Sequence, residues 1–212
     1  MLKINEIFHS IQGESTYAGL PTVFIRTTGC NLRCTYCDTK YSYYDGNLHP
    51  VEKIVDMVSS FSTQNVCITG GEPLLQKPIH KLMSQLCDLD YQVSLETSGS
   101  LSCEQVDPRV KIILDVKTPD SGAKDSFLFQ NLKFLNTTTE FKFVICSESD
   151  LEWSEHFCRQ HEIFKKYTVL YSPSYGIIDP RWLSEKILQK KSSARLQMQL
   201  HKYIWSSDTR GV

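Results

Sequence analysis

Runs rich in β-branched and aromatic residues alternate with amphipathic segments through most of this chain, and that rhythm limits the fold more than any other feature. Strand-like runs span 2–8, 22–28, 65–69, 92–96, 110–116, 140–146, 167–171 and 195–200. Between them, Val51, Ile54, Val55, Val58 and Phe61 recur at helical spacing after Pro50, and Ile79, Leu82, Met83 and Leu86 do so again. Further helices fall near 151–161 and 181–190, while 9–20 is polar, contains glycine and reads as a loop. Strands that alternate with helices argue for a parallel sheet with crossover helices. Six or seven of these runs take part in that alternation, too few for a closed eightfold barrel. The expectation is α/β: an incomplete, partly open (β/α) barrel of mostly parallel strands, in one domain over 1–212. The unusual segments, including Gly70-Gly71-Glu72-Pro73, Glu96-Thr97-Ser98-Gly99 and Ser172-Pro173-Ser174-Tyr175-Gly176, follow strands, at the edge where such folds assemble their sites.

Chemistry concentrates in Gly29-Cys30-Asn31-Leu32-Arg33-Cys34-Thr35-Tyr36-Cys37-Asp38-Thr39. Three thiols this close cannot all pair as disulfides, and the spacing suits a metal centre that takes several sulfurs from one turn of chain. Structural zinc needs four ligands, and no second CxxC or paired His follows at finger spacing. An iron–sulfur cube held by three cysteines leaves one iron open to a ligand. Reduced structural cysteines, or zinc completed by Asp38 or His49, stay open as alternatives. Elsewhere, Gln12 beside Glu14 offers the donors and acceptors that read a guanine-like edge, unless the segment is an ordinary solvated loop. Arg26, in an apolar strand, must meet an anion supplied by a ligand or by a nearby Glu. No residue stands out as a catalytic acid or base.

The cysteine spacing, with an aromatic residue before the last Cys, resembles the signature of the radical S-adenosylmethionine (SAM) superfamily. The wider set of Ile11-Gln12-Gly13-Glu14, Phe24-Ile25-Arg26, Cys37-Asp38-Thr39, Thr69-Gly70-Gly71-Glu72-Pro73, Glu96-Thr97-Ser98-Gly99 and Asp115-Val116-Lys117-Thr118 resembles the 7-carboxy-7-deazaguanine synthases of queuosine precursor synthesis. Ser15-Thr16 departs from the family, which often has another glycine there. The resemblance implies a Mg²⁺-dependent carbon–nitrogen lyase acting on 6-carboxy-5,6,7,8-tetrahydropterin. It implies a 4Fe-4S cluster on Cys30, Cys34 and Cys37 that cleaves SAM to a 5′-deoxyadenosyl radical, and Mg²⁺ on Thr39. Gln12, Gly13, Glu14, Arg26 and Thr69 would hold substrate. Tyr36, Asp38, Gly71, Glu72, Ser98, Asp115, Val116 and Lys117 would line the SAM side, with Ser172 and Tyr175 nearby and Glu72 chiefly shaping its turn. The C-terminal tail would ordinarily fray; the resemblance implies that the Val212 carboxylate enters the site, placed by Arg210. It also implies a homodimer and an electron donor such as flavodoxin or ferredoxin.

Two other classes share parts of the pattern: a radical SAM enzyme that activates a partner protein, which has no need of the Gln-Gly-Glu segment, and a non-enzymatic metal-binding module. Composition narrows the partners. With 23 basic and 24 acidic residues among 212, no field of one sign draws the chain to nucleic acid or to a membrane surface. The first 20 residues lack an apolar run, so a cytoplasmic protein is expected. Of the eight cysteines, Cys67, Cys87, Cys103, Cys146 and Cys158 read as reduced and structural.

Overall fold

The computed structural model describes residues 1–206 and 209–212. One nine-stranded sheet organises them, in the order β3-β1-β2-β4-β5-β6-β7-β8-β9. The strands are β1 (Leu2–Ile11), β2 (Pro21–Thr27), β3 (Asn47–His49), β4 (Asn65–Gly70), β5 (Gln92–Thr97), β6 (Lys111–Asp115), β7 (Glu140–Ile145), β8 (Thr168–Pro173) and β9 (Arg195–Leu196). From β2 through β9 every neighbour is parallel, while β1 pairs antiparallel with β2 and β3. The sheet does not close on itself, since β3 and β9 end the order. It is the open, mostly parallel barrel expected from the alternation.

Helices α1 (Val51–Ser59), α2 (Ile79–Asp88), α3 (Glu148–Gln160), α4 (Ile163–Lys166), α5 (Pro180–Gln189) and α6 (His201–Ile204) complete the elements named here. Their starts follow local chemistry. Ser147 accepts the Asp150 N–H ahead of α3, and Asp179 accepts the Arg181 N–H ahead of α5, whose first residue is the proline that suits that position. The apolar stripes of α1 and α2 bury Ile54, Val58, Leu82, Met83 and Leu86 in a core shared with Ile68, Leu95 and Leu114 of the strands. Because strand side chains alternate between faces, the opposite face presents Thr69, Glu96, Asp115 and Lys142. An apolar outer face and a polar inner face come from the same strands.

Several sequence boundaries are corrected. The first strand continues past residue 8 to Ile11, because His9, Ser10 and Ile11 find backbone partners in Val23, Thr22 and Pro21; ladder pairing does not require apolar side chains there. The last strand is two residues rather than 195–200. After the Gln197 N–H bonds to the Tyr171 carbonyl the chain leaves the sheet, and the Leu200 N–H reaches the Gly13 carbonyl. The tail does not simply fray, since His201–Ile204 forms α6. Strand β3 and helices α4 and α6 gave no sequence signal, because three or four residues carry no measurable periodicity.

The loop after β1 also runs counter to the rule that site residues follow parallel strands. Since β1 is antiparallel, residues 12–20 leave from the edge where the parallel strands begin and then turn inward. The Gln12 N–H to Leu20 O bond and the Gly19 N–H to Gln12 O bond pinch the loop shut. Ser15 adopts φ 63°, the left-handed conformation that glycine takes freely, so the chain keeps a glycine-like path with a serine.

Ile68 is fully buried at the centre of the sheet, whereas Leu48 on the edge strand is 61% exposed. Ile68→Ala should cost about 2–5 kcal/mol and Leu48→Ala well under about 1 kcal/mol. Chemical denaturation checks the contrast, and equal losses would contradict this core.

Candidate active site

A cavity of about 650 Å³ opens on the inner face of the sheet, walled by the cysteine loop, the loop after β1, the ends of β4 to β7 and the C-terminal residues. Cys30, Cys34 and Cys37 all line it and all carry free thiols. Their loop is braced by bonds that need no metal. The Arg33 guanidinium donates to the carbonyls of Cys30 (2.8 Å) and Leu32 (2.7 Å) and lies over the Tyr43 ring at 4.4 Å. Thr35 is anchored through its N–H to the Ser121 carbonyl and through its hydroxyl to the Asp120 carbonyl. Gly71 packs so closely under this loop that a Cβ there would lie 2.0 Å from the Gly29 carbonyl oxygen. Only glycine allows that approach.

These thiols fit an iron–sulfur cluster better than a single ion. Among the described residues no three His, Cys, Asp or Glu side chains converge on one metal position. A cube takes one thiolate per iron, so its ligands are spread around it. Burial pushes the Cys30 and Cys34 thiols up from their ordinary range, and a bound metal's charge reverses that preference.

Glu72 is fully buried and lies outside the cavity wall. Its carboxylate accepts hydrogen bonds from Leu74 N–H (3.2 Å), Thr97 Oγ1 (2.8 Å), Ser98 N–H (2.9 Å) and Ser98 Oγ (2.6 Å). Glu72 therefore shapes the turn and sets Ser98, which does reach the cavity. Of the other residues singled out from the sequence, Gln12, Gly13, Glu14, Arg26, Tyr36, Asp38, Thr39, Thr69, Gly71, Asp115, Lys117, Tyr175 and Val212 line it. Two do not. Val116 belongs to the hydrophobic core, and Ser172 is fully buried away from the wall, where Ser174 stands instead. Strand alternation explains Val116, which sits one residue out of phase with the inward Asp115 and Lys117; Ser172 shares the phase of Ser174 and of its β7 neighbour Val144 but is wholly buried.

The anion facing Arg26 turns out to be Glu6, whose Oε1 accepts the Nε–H at 2.6 Å and the Tyr41 hydroxyl at 2.9 Å. Asp38 pairs with Lys202 at 2.6 Å, and the Arg210 guanidinium lies 4.0 Å from the centre of the Tyr41 ring, bringing the C-terminal residues to the wall. The Tyr36 hydroxyl is buried with no hydrogen-bond partner among the described residues, and burial pushes its pKa far up.

Sequence reasoning missed Lys142, the cation at the charged centre of the site. Lys142 Nζ lies 2.5 Å from Glu14 Oε2 and 3.2 Å from Asp115 Oδ2, and Lys117 Nζ lies 3.0 Å from Asp115 Oδ1. Burial alone would raise the Glu14 carboxyl, but Lys142, helped by His201 and Gln199, brings it down to about 2. Burial likewise opposes ionisation of Asp115, and Lys117 with Lys142 overcomes it. Glu96 also lines the cavity, and burial pushes its carboxyl up, opposite to the direction of Glu14 and Asp115. Glu140-Phe141-Lys142-Phe143 carried the signal: charge alternating with phenylalanine in a strand buried on both faces.

A profile of the radical SAM superfamily matches residues 24–120. The chain is 44% identical over 214 residues to a Chlorobaculum tepidum protein named 7-carboxy-7-deazaguanine synthase, covering 100% of this chain and 97% of that one. A Koribacter versatilis protein of the same name is 38% identical, with 100% of both chains covered. Among solved structures, QueE from Escherichia coli matches with a TM-score of 0.78 at 23% identity over 94% of each chain. Streptococcus suis SuiB bound to S-adenosylmethionine matches at 0.54, with 17% identity over 81% of this chain and 44% of that one. At these identities the two structures speak for the fold alone.

Replacing Cys30, Cys34 or Cys37 with Ala should abolish the brown absorbance of anaerobically reconstituted protein, while Cys67, Cys87, Cys103, Cys146 or Cys158 replaced with Ala should retain it. Iron and sulfide analysis with visible spectra checks this. A colourless Cys103 variant beside a brown Cys34 variant would overturn the ligand assignment.

Proposed function

Because the chain belongs to the 7-carboxy-7-deazaguanine synthase family of radical SAM enzymes, we propose that its cavity converts 6-carboxy-5,6,7,8-tetrahydropterin to 7-carboxy-7-deazaguanine with loss of ammonia, a lyase step of queuosine synthesis. One observation carries this reading. The Gln12–Glu14 segment enters from one edge of the sheet and the three cysteines stand at the other, yet both wall the same 650 Å³ space. A partner-protein activase has no use for that juxtaposition.

Cys30, Cys34 and Cys37 would hold the cluster, which when bound supplies the electron for SAM cleavage and hence hydrogen abstraction from substrate. The chain's own residues orient and enclose the reactants. Gln12 donates and accepts, and the ionised Glu14 accepts, hydrogen bonds along the aminopyrimidine edge. Arg26, held by Glu6 through Nε, offers its remaining nitrogens to the substrate carboxylate. Thr69 and the Val212 end complete the substrate side. Tyr36, Asp38, Gly71, Ser98, Asp115, Lys117 and Tyr175 face SAM. An electron donor of flavodoxin or ferredoxin type and a homodimeric assembly belong to the same proposal. No described helix is long and apolar enough to cross a membrane.

We assign Mg²⁺ to Thr39. Its carbonyl accepts the Ser42 N–H and hydroxyl and so caps the following turn, while its own hydroxyl makes no cap bond. Its hydroxyl oxygen, 3.8 Å from the Cys37 sulfur, is a neutral hard donor on the cavity wall of the kind Mg²⁺ accepts alongside water and the carboxylate and carbonyl of substrate.

Anaerobic turnover with SAM, a reductant and the carboxypterin should yield a deazaguanine carboxylate, identified by mass and ultraviolet spectrum; SAM cleavage without that product would sink the reading. Thr39→Val keeps the shape and deletes the oxygen. It should retain cluster and SAM binding while losing most of the Mg²⁺ stimulation, so a Mg²⁺ titration like the parent's would remove Thr39 from the metal. A tag after Val212 should weaken substrate binding by about tenfold or more (about 1.4 kcal/mol), whereas a tag at Met1 should not. Equal affinities measured by calorimetry would take the C-terminus out of the site.

A further inference from the structure

The Lys142 ammonium is almost fully buried and serves two carboxylates that belong to different halves of the cavity. Glu14 comes from the loop after β1, on the side assigned above to substrate. Asp115 ends β6, on the side assigned to SAM. The two distances are unequal, 2.5 Å to Glu14 and 3.2 Å to Asp115, so Glu14 holds the greater share of the cation. The two anions are buried close enough to oppose each other's ionisation. One ammonium therefore answers a competition between two like charges in a region of low dielectric.

We infer that Lys142 is a positioning residue that couples the two halves of the cavity, so that the pterin and SAM each tighten the binding of the other. The inference rests on the substrate and SAM assignments of the proposed function and adds to them a linkage between the two ligands. A ligand that donates N–H groups to Glu14 supplies part of the compensation Lys142 now provides. The ammonium is then free to settle on Asp115, whose carboxylate becomes better fixed as a hydrogen-bond acceptor on the SAM side. The converse holds when a donor of SAM occupies Asp115 first. Reciprocity requires the two effects to be equal in free energy. Lys117 strengthens the arrangement by holding the other oxygen of Asp115 at 3.0 Å, so that only the oxygen facing Lys142 responds. Gln199 steadies Glu14 in the same way, donating from Nε2 to Oε1 at 2.9 Å and leaving Oε2 to the ammonium. Both carboxylates thus have one oxygen pinned and one shared.

The experiment uses the reconstituted protein with its cluster left unreduced, so that SAM is bound but not consumed. Calorimetry gives the affinity for the carboxypterin with and without saturating SAM. In the parent, SAM should tighten pterin binding by a factor within the roughly 5- to 150-fold span of ordinary couplings, and the pterin should tighten SAM equally. In Lys142→Met that factor should fall to about one, while Lys142→Arg, which keeps a cation able to reach both carboxylates, should restore part of it. Lys142→Met leaves the buried Glu14 without its ion-pair partner, although Asp115 keeps Lys117, and can fail to fold. Asp115→Asn is the second variant: it leaves Glu14 paired with Lys142, keeps the shape and removes the competition, and should also bring the factor to about one. Independent binding in the parent, or parental coupling in Asp115→Asn, would overturn the inference. Reduction of the cluster then separates the two levels. Deazaguanine formation without coupling sinks the linkage alone, and absence of that product sinks the functional reading beneath it.

Discussion

A loop that starts at the wrong edge of a parallel sheet can line the active cavity only if something inside the sheet holds it there, and in this chain the Lys142–Glu14 ion pair does so. Both groups are buried, and each favours the charged form of the other against the cost of burial. Removing one partner from such a pair costs on the order of 3–5 kcal/mol, because a charge is left in low dielectric without compensation. A second anchor acts beside it. Glu140 accepts from the Thr16 N–H and pairs with Lys111 at 2.5 Å, while the Lys111 ammonium sits 4.2 Å from the centre of the Tyr17 ring. The loop is thus tied to the inner face by β7 twice, through residues two apart on the same side of one strand.

The open seam of the barrel poses a second physical problem. A parallel sheet that stops at β9 leaves backbone and inner face uncovered between that edge and β1. The residues after β9 fill the gap. The Leu200 N–H reaches Gly13 O, Gln197 Nε2 reaches the same carbonyl at 3.4 Å, and the His201 ring packs where a side chain at position 13 would stand. A Cβ on Gly13 would lie 2.2 Å from His201 Nδ1, so the glycine serves closure of the seam as much as any ligand. Burial among these groups pushes the His201 pKa down, which favours a neutral ring against the loop. The segment that terminal position alone would mark as disordered is therefore ordered by what it covers.

The cysteine loop is likewise preorganised. Its carbonyls are satisfied by Arg33, its far side is tied to residues 120 and 121, and the Gly71 turn beneath it is bracketed by the four bonds onto Glu72. Rigid support of this kind keeps three thiols in place before any metal arrives, so less chain entropy is lost when a cluster binds.

The periodicities of 2 and 3.6 residues were enough to derive an open, mostly parallel barrel, because they report which residues face the core and are local in sequence. The cysteine spacing was equally local, since all three thiols lie within eight residues. Resemblance carried the rest of the candidate wall, and most of those residues do line the cavity. What the sequence could not reveal depends on neighbours far apart in the chain. Arg26 meets Glu6 because β1 and β2 pair, and Lys142 meets Glu14 across 128 positions because the loop after β1 folds inward. Val116 falls away from the cavity because strand phase, rather than motif membership, decides which side chain points inward. Residues 195–200 read as a strand in isolation, yet tertiary structure spends most of them closing the seam. Local pattern determines which elements form and what chemistry the cysteine loop can support; pairing across the open barrel decides which charges meet and which residues share a wall.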